Sequence, residues 1–131
     1  MDKFNVFEKD VIENILSTKN MIRFPENELA SKILKQYKNS TIVSREFTGV
    51  GFFTYFQLND KSLSLGDGIR LRLAGVHAEV NDLKHGAGFW LEVENGIIDN
   101  LEGFCYEENW PKKIKNYKLS LVNKDGTLTE L

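Results

Sequence analysis

The sequence predicts an α+β domain in which two N-terminal helices pack on a mostly antiparallel, bent sheet of five or six strands. Apolar residues first recur at helical spacing, alternation with period two follows, and Asn-Gly and Asp-Gly dipeptides separate the later strand-like segments. Because helices precede hairpins, without alternation of the two, an antiparallel sheet is favoured. We expect a single domain over residues 1–131, helical over 1–40 and sheet over 41–131.

Two amphipathic helices are predicted, over residues 5–18 and 27–38. The apolar residues of the first helix share one face, namely Phe7, Val11, Ile12, Ile15 and Leu16. Glu8 is expected to face away from them, towards solvent. The second helix is expected to begin near Pro25, because proline is tolerated in a first helical turn.

The rest of the chain is expected to form strands joined by hairpins. Residues 69–76, "IRLRLAGV", alternate apolar residues with arginines, as in a half-buried strand. Turns are predicted at Asn95-Gly96 and Asp125-Gly126, because such dipeptides tolerate positive φ. The helices are expected to pack on sheet aromatics such as Phe53 or Phe89. The helix residues that this packing should bury are Ile12, Ile15, Leu29, Ile33 and Leu34.

Two glycine–aromatic segments, "GVGFFTYF" at 49–56 and "GAGFWLEV" at 86–93, resemble the start of a phosphate-binding loop. Such a loop needs a third glycine and a following helix N-terminus, and neither segment has them. We therefore interpret both as central, bent strands, covered on both faces and neighbouring each other. Gly51 or Gly88 should lie at a bulge or against an aromatic side chain of the adjacent strand.

Composition argues against several classes of partner and location. The net charge is −2, without the basic excess of a nucleic-acid-binding protein, so no nucleic-acid partner is expected. The sequence contains no apolar run long enough to cross a bilayer, so no membrane association is expected. A single Cys105 and the absence of an N-terminal apolar signal core predict a cytoplasmic protein.

The sequence contains no recognisable catalytic or metal-binding set. His77 and His85 flank a turn-like stretch with too few further ligands for a metal site. Cys105 follows phenylalanine in a strand-like run and is interpreted as a buried thiol. We therefore expect no catalytic residues, no cofactor and no metal, and the sequence favours a non-enzymatic role while leaving enzymatic activity open.

The alternative function is a small-ligand-binding domain or a small enzyme with an acidic cleft. It requires that several polar side chains converge on one pocket. The candidates are Glu92, Glu94 and Glu102, or Arg45 and Glu46, together with Tyr106 and His85.

Three segments carry a resemblance to known proteins: "SREFTGVGFFTYF" at 44–56, "HGAGFWLEVENG" at 85–96 and "LEGFCYEENWP" at 101–111. In this order they resemble a family of small, uncharacterised bacterial proteins. Proteins of this type are often candidates for immunity proteins encoded beside secreted toxins. The resemblance implies that association but transfers no catalytic residue.

The leading hypothesis is a non-enzymatic protein that binds another protein, most specifically an immunity protein that neutralises a toxin domain. A mildly acidic inhibitor would associate rapidly with a basic toxin through electrostatic steering. The predicted partner-binding face combines carboxylates with two aromatic anchors, because aromatics often dominate interface energetics. Its residues are Glu92, Glu94, Glu102, Tyr106, Glu107, Glu108 and Trp110.

Overall fold

The computed structural model describes residues 4–20 and 27–131, which form two helices and one eight-stranded antiparallel sheet. The predicted α+β class is confirmed. Helices α1 and α2 span Val6–Ile15 and Asn27–Lys38. The strands are β1 Ser40–Phe47, β2 Gly51–Leu58, β3 Leu71–Leu73, β4 Val76–Val80, β5 Ala87–Glu94, β6 Ile97–Cys105, β7 Tyr117–Val122 and β8 Leu128–Glu130.

The strand order is β1-β2-β6-β5-β4-β7-β8, and β3 pairs with β5 beside β4. The predicted count of five or six strands is wrong for the described residues. One reason is that the segment following Leu71 is interrupted at Gly75, so β3 and β4 pair separately with β5. The predicted adjacency of the two glycine–aromatic segments is also wrong, since β6 lies between β2 and β5.

Both described helices lie on one face of the sheet. Strand β5 therefore shows strict alternation, with Phe89, Leu91 and Val93 buried against the helices. The expectation that β2 is covered on both faces is wrong, because Phe53 and Tyr55 are only half-buried on the opposite face. Of the two sheet aromatics proposed to meet the helices, Phe89 does so and Phe53 does not.

Glu8 is buried, with 2% of its surface exposed, and the prediction that it faces solvent is wrong. Its backbone nitrogen donates to the side chain of Asn5, and its carboxylate accepts from the Asn5 nitrogen, which completes a capping box. Arg45 of β1 binds the same carboxylate through two nitrogens, at 3.0 and 2.8 Å. The Thr54 hydroxyl of β2 donates to it at 2.6 Å. This network fixes the start of α1 on two strands.

The first helix ends at Ile15, earlier than residue 18, because the Asn20 side chain hydrogen-bonds the carbonyl of its last residue. The Asn20 side-chain nitrogen donates to the carbonyls of Ile15 and Ala74, both at 2.8 Å. Gly75 has a φ of 116° and lies so close to Asn20 that a Cβ there would be 2.3 Å from its Oδ1. One buried amide therefore ends α1 and occupies the break between β3 and β4.

The second helix is held to the sheet by a fully buried glutamine. Gln36 donates to the carbonyls of Leu63 and Gly96 and accepts from the Ile98 nitrogen. Of the residues predicted to be buried, Ile12, Ile15 and Ile33 are fully so, whereas Leu29 and Leu34 are partly buried. The predicted start at Pro25 lies outside the described residues.

Both predicted hairpin turns are confirmed. Asn95 and Gly96 have φ values of 51° and 78°, the positive pair that a type I′ turn requires, and they join β5 to β6. Asp125 accepts a hydrogen bond from the Thr127 nitrogen and precedes Gly126, whose φ is 88°, between β7 and β8.

The second glycine of each glycine–aromatic segment, Gly51 and Gly88, permits close approach to β6. A Cβ on Gly88 would lie 2.7 Å from the Phe104 ring of the paired strand, which confirms the predicted aromatic contact. A Cβ on Gly51 would lie 1.9 Å from the Gly103 carbonyl oxygen. Gly103 is in turn covered by the ring of Phe52. These glycines are steric requirements of the sheet.

Alanine at Gly51 is therefore expected to destabilise the fold far more than alanine at Gly88. The Gly51 neighbour is backbone that cannot move aside, whereas the Phe104 ring is half-exposed and can rotate. We expect a loss of about 3 kcal/mol or more in unfolding free energy for Gly51→Ala and about 1 kcal/mol for Gly88→Ala, measured by urea denaturation. Equal losses at the two positions would contradict this account.

Glu8→Gln is expected to lower the unfolding free energy by about 3 kcal/mol at pH 7, because it removes the buried negative charge to which Arg45 and Thr54 donate hydrogen bonds. Burial raises the pKa of Glu8, but hydrogen bonds from Arg45, Thr54 and Asn5 and the Arg45 charge outweigh it, so the folded pKa lies below 4.5. Stability from this carboxylate is therefore present above pH 4.5 and is lost as pH falls through the folded pKa.

The difference between wild type and Glu8→Gln should accordingly shrink in denaturation experiments below pH 4.5. Glu13→Gln, an exposed change on the same helix, is the matched control and should have little effect. A difference that stays constant down to pH 2 would show that the carboxylate charge is not the stabilising feature.

Candidate functional site

The face of the sheet opposite the helices, which we call the open face, carries two rows of side chains across its central strands. Directly paired residues on adjacent strands place their side chains on the same face. The first row is Glu46, Phe53, Glu102 and Trp90. The second row is Ser44, Tyr55, Asn100, Glu92 and Arg72. Aromatic, acidic and amide groups therefore meet on rigid strands.

Arg72 organises one side of the open face. Its guanidinium lies 2.8 Å from Glu92 and 3.6 Å from Glu102, and it stacks over the Trp90 ring at 4.7 Å from the centroid. Burial raises the pKa of Glu102, the Arg72 charge lowers it, and the Glu92 charge raises it, so that it lies above its usual value. The two carboxylates are close enough to repel each other, and a single arginine bridges them.

Asn100 lies at the centre of the open face and is almost fully buried, with 5% of its surface exposed. Its side-chain nitrogen donates to Asp99 at 2.6 Å and faces Glu92 at 3.4 Å. These two acceptors orient the amide, so the oxygen points elsewhere. Within the described residues, Oδ1 of Asn100 accepts no hydrogen bond.

Tyr55 adjoins Asn100 and stacks on Phe53, with ring centroids 5.9 Å apart and an interplanar angle of 13°. Burial is the largest cause of a raised pKa at Tyr55, and four carboxylates add to it. Those carboxylates are Glu46, Asp99, Glu102 and Glu92. The tyrosine hydroxyl thus lies in a region of negative potential.

The structure brings four of the seven predicted partner-binding residues to the open face. Glu92 and Glu102 lie at its centre, and Glu94 pairs with Arg70 at 3.1 Å near one end. Tyr106 packs edge-on against Phe104 near the other end, with its hydroxyl close to Gly88. The acidic residues are thus partly neutralised by arginines that the sequence interpretation did not connect with them.

The remaining three predicted residues lie elsewhere. Glu107 is exposed at a turn, with a φ of 55°. Glu108 accepts hydrogen bonds from the backbone nitrogens of Lys84 and His85, and the first of these is the main reason that its pKa is lowered. Its side chain therefore binds the loop before β5. Trp110 packs on Phe52, at 5.2 Å between centroids, on the helix-bearing side of the sheet.

Trp110 belongs to a separate groove that sequence analysis missed. The groove has a volume of about 430 Å³ and lies between the start of α1, the β1–β2 hairpin and the segment before β7. Its lining is mainly apolar and includes Val6, Phe47, Phe52, Trp110, Ile114 and Tyr117. Arg45 and Glu8 also contribute to it, and they are paired with each other.

Of the residues proposed for an enzymatic cleft, Arg45, Glu46 and His85 lie apart from one another. Arg45 binds Glu8 on the helix side, whereas Glu46 lies on the open face. His85 belongs to the loop bound by Glu108. Among the residues that the structure describes, no group of three or more histidine, cysteine or acidic side chains is arranged to hold a metal ion.

The described helices are too short and too polar to cross a membrane. Comparisons with protein-family models, with curated proteins and with solved structures found no significant match.

Sequence reasoning missed Arg72, Trp90, Tyr55, Phe53 and Asn100 as members of the site. The available signal was the alternation of β5, which places Trp90 on the same face as Glu92 and Glu94. Arg72 could have been placed there by the period of β3. Asn100 is added by the β5–β6 hairpin, in which it pairs with Glu92. Tyr55 is added by the pairing of β2 with β6, which is not encoded in any local pattern.

Proposed function

We propose that this chain binds a protein partner through the open face, and that it is an immunity protein which neutralises a toxin by direct binding in the cytoplasm. The observation that carries the proposal is the combination of aromatic and charged side chains on the central strands of a sheet face on which neither described helix lies. Aromatic and arginine side chains are the groups that most often dominate interface energetics. Trp90, Arg72, Tyr55 and Phe53 are such groups, and all lie on this face.

The charge of the open face favours a basic partner. Four carboxylates surround Tyr55, and Arg72 is the arginine that bridges two of them. An acidic surface of this kind accelerates association with a basic protein and repels acidic ones. A basic toxin domain, such as a nuclease, would have the positive charge that complements this acidic surface. The resemblance of three sequence segments to small, uncharacterised bacterial proteins, a type that includes candidates for immunity proteins, is consistent with the same proposal.

A second candidate is a small-ligand-binding domain that uses the groove beside Trp110. The groove volume of about 430 Å³ and its aromatic lining favour this reading over an acidic cleft. The two candidates use different surfaces, so substitutions on each surface separate them.

The proposal predicts that Glu46→Lys weakens binding to the product of the adjacent upstream gene by about tenfold or more, through like-charge repulsion with a basic partner. Glu13→Lys makes the same charge change at an exposed position of helix α1, away from the open face. It should change affinity by less than about twofold. Affinity is measured by isothermal titration calorimetry, and protection by survival of cells that co-express both proteins.

Phe47→Ser tests the groove, since Phe47 is 70% exposed and its loss should leave the fold intact. We expect this variant to bind the partner and protect cells as the wild type does. If the neighbouring gene product is not toxic, or does not bind at micromolar concentration, the immunity proposal is wrong. If Phe47→Ser abolishes binding and Glu46→Lys does not, the groove is the binding surface.

A further inference from the structure

We propose that the groove beside Trp110 binds an amphipathic organic anion, a small molecule with an apolar body and one terminal carboxylate. The groove lies between the start of α1, the β1–β2 hairpin and the segment before β7, on the helix-bearing side of the sheet. The proposed protein partner uses the open face instead. The inference therefore goes beyond the proposed function and gives the second candidate surface a ligand of stated chemistry.

Two exposed apolar side chains line the groove. Val6 at the start of α1 and Phe47 at the end of β1 are each 70% exposed, whereas the other apolar lining residues are buried or half-buried. Side chains of this kind are usually buried, and a concave apolar patch bordered by polar groups is typical of a binding site. The apolar body of a ligand would remove both side chains from water.

Hydrogen bonds hold the walls of the groove in place. The Trp110 nitrogen donates to the Gly49 carbonyl at 2.8 Å, which fixes the β1–β2 hairpin against the segment before β7. The Tyr117 hydroxyl donates to Asp10 at 2.5 Å, which fixes the start of β7 against α1. Because these contacts prevent the walls from closing on each other, the groove is preformed, and a ligand of fitting size binds without rearranging it.

The charge of the lining favours an anion. Three cationic side chains and one carboxylate line the groove, namely Arg45, Lys112, Lys113 and Glu8. Arg45 is paired with Glu8 at 2.8 Å. Both lysines are exposed, and among the described residues neither has a carboxylate within 4.0 Å. The lysine ammonium groups can therefore reach the carboxylate of a ligand whose apolar body lies in the groove.

The size of the groove limits the ligand. Its volume is about 430 Å³. At about 30 Å³ per non-hydrogen atom, the share that a water molecule occupies in the liquid, the groove holds roughly 14 such atoms. A medium-chain fatty acid or a small aromatic acid is of this size. A neutral ligand would leave the two lysines without a counter-ion, and a hydrophilic anion would leave Val6 and Phe47 exposed.

The test is an NMR titration of the isotopically labelled full chain with octanoate, at constant ionic strength. The chain has two tryptophans, and their indole signals report separately on the open face, at Trp90, and on the groove, at Trp110. We expect a saturable shift of the Trp110 signal, with a dissociation constant on the order of 1 mM, as for a ligand of about ten non-hydrogen atoms. The Trp90 signal should not move.

Two further ligands separate the contribution of the charge from that of the chain. Octanamide is neutral and has nearly the same shape as octanoate, so it should bind about threefold or more weakly. Acetate has the carboxylate but lacks the apolar chain, so it should produce no saturable shift of the Trp110 signal.

A double variant, Lys112→Gln with Lys113→Gln, tests the charge of the groove. It should weaken octanoate binding about threefold or more and leave octanamide binding unchanged. The matched control, Lys61→Gln with Lys124→Gln, removes two exposed lysines that do not line the groove. It should change octanoate affinity by less than about 1.5-fold.

Phe47→Ser tests the apolar lining and should weaken binding of both octanoate and octanamide about fivefold. Val43→Ser is the matched control, because Val43 is an exposed residue of the same strand that does not line the groove. It should weaken neither ligand. An unchanged Trp90 signal shows that each variant is folded.

The inference is overturned if octanoate produces no saturable shift of the Trp110 signal, if octanamide binds equally well, or if the lysine variant or Phe47→Ser leaves octanoate affinity unchanged. Equal shifts of the Trp90 and Trp110 signals would show non-specific association and would also overturn it. These results are separable from failure of the proposed function, which Glu46→Lys tests on the open face. Either proposal can fail while the other stands.

Discussion

Two short helices lie on the same face of a wide sheet, and this arrangement decides which side of every central strand is buried. Buried residues of α1 and α2 pack on alternate positions of the central strands, such as Phe89 and Leu91 of β5. The other alternate positions must then be compatible with water. In this chain they hold paired charges and half-buried aromatics, which keep the open face soluble while leaving it able to bind. The division of the sheet into two faces thus links packing to the proposed function.

Buried polar side chains determine how the helices sit on that face. Glu8 joins α1 to β1 and β2, Asn20 joins the end of α1 to the β3–β4 break, and Gln36 joins α2 to the β5–β6 turn. Each of these groups satisfies backbone or charged partners that would otherwise be desolvated without compensation. Apolar packing alone would allow a helix to shift along the sheet, whereas these hydrogen bonds can form in only one position of each helix. The fixed position of the central strands is what allows side chains from several of them to form one surface.

Local patterns were sufficient for the element types and turns but not for these polar contacts. Helical spacing identified the apolar residues of α1, yet it assigned Glu8 to solvent because a charged residue is usually exposed. The partner that reverses this, Arg45, lies 37 residues away and is found only through tertiary structure. Similarly, alternation within β5 placed Glu92 and Glu94 together, whereas Tyr55 joined them through the non-sequential pairing of β2 with β6. Trp110 was misplaced because its position after β6 does not indicate which face it packs on.

We propose that the open face, rather than the helix side or the groove beside Trp110, contacts the partner. The most direct measurement is a map of backbone amide shifts of the labelled chain when the unlabelled product of the adjacent gene is added. The account predicts that the largest perturbations fall on β2, β5 and β6, centred on Tyr55, Trp90 and Asn100. Perturbations concentrated on α1, α2 or the groove would contradict it.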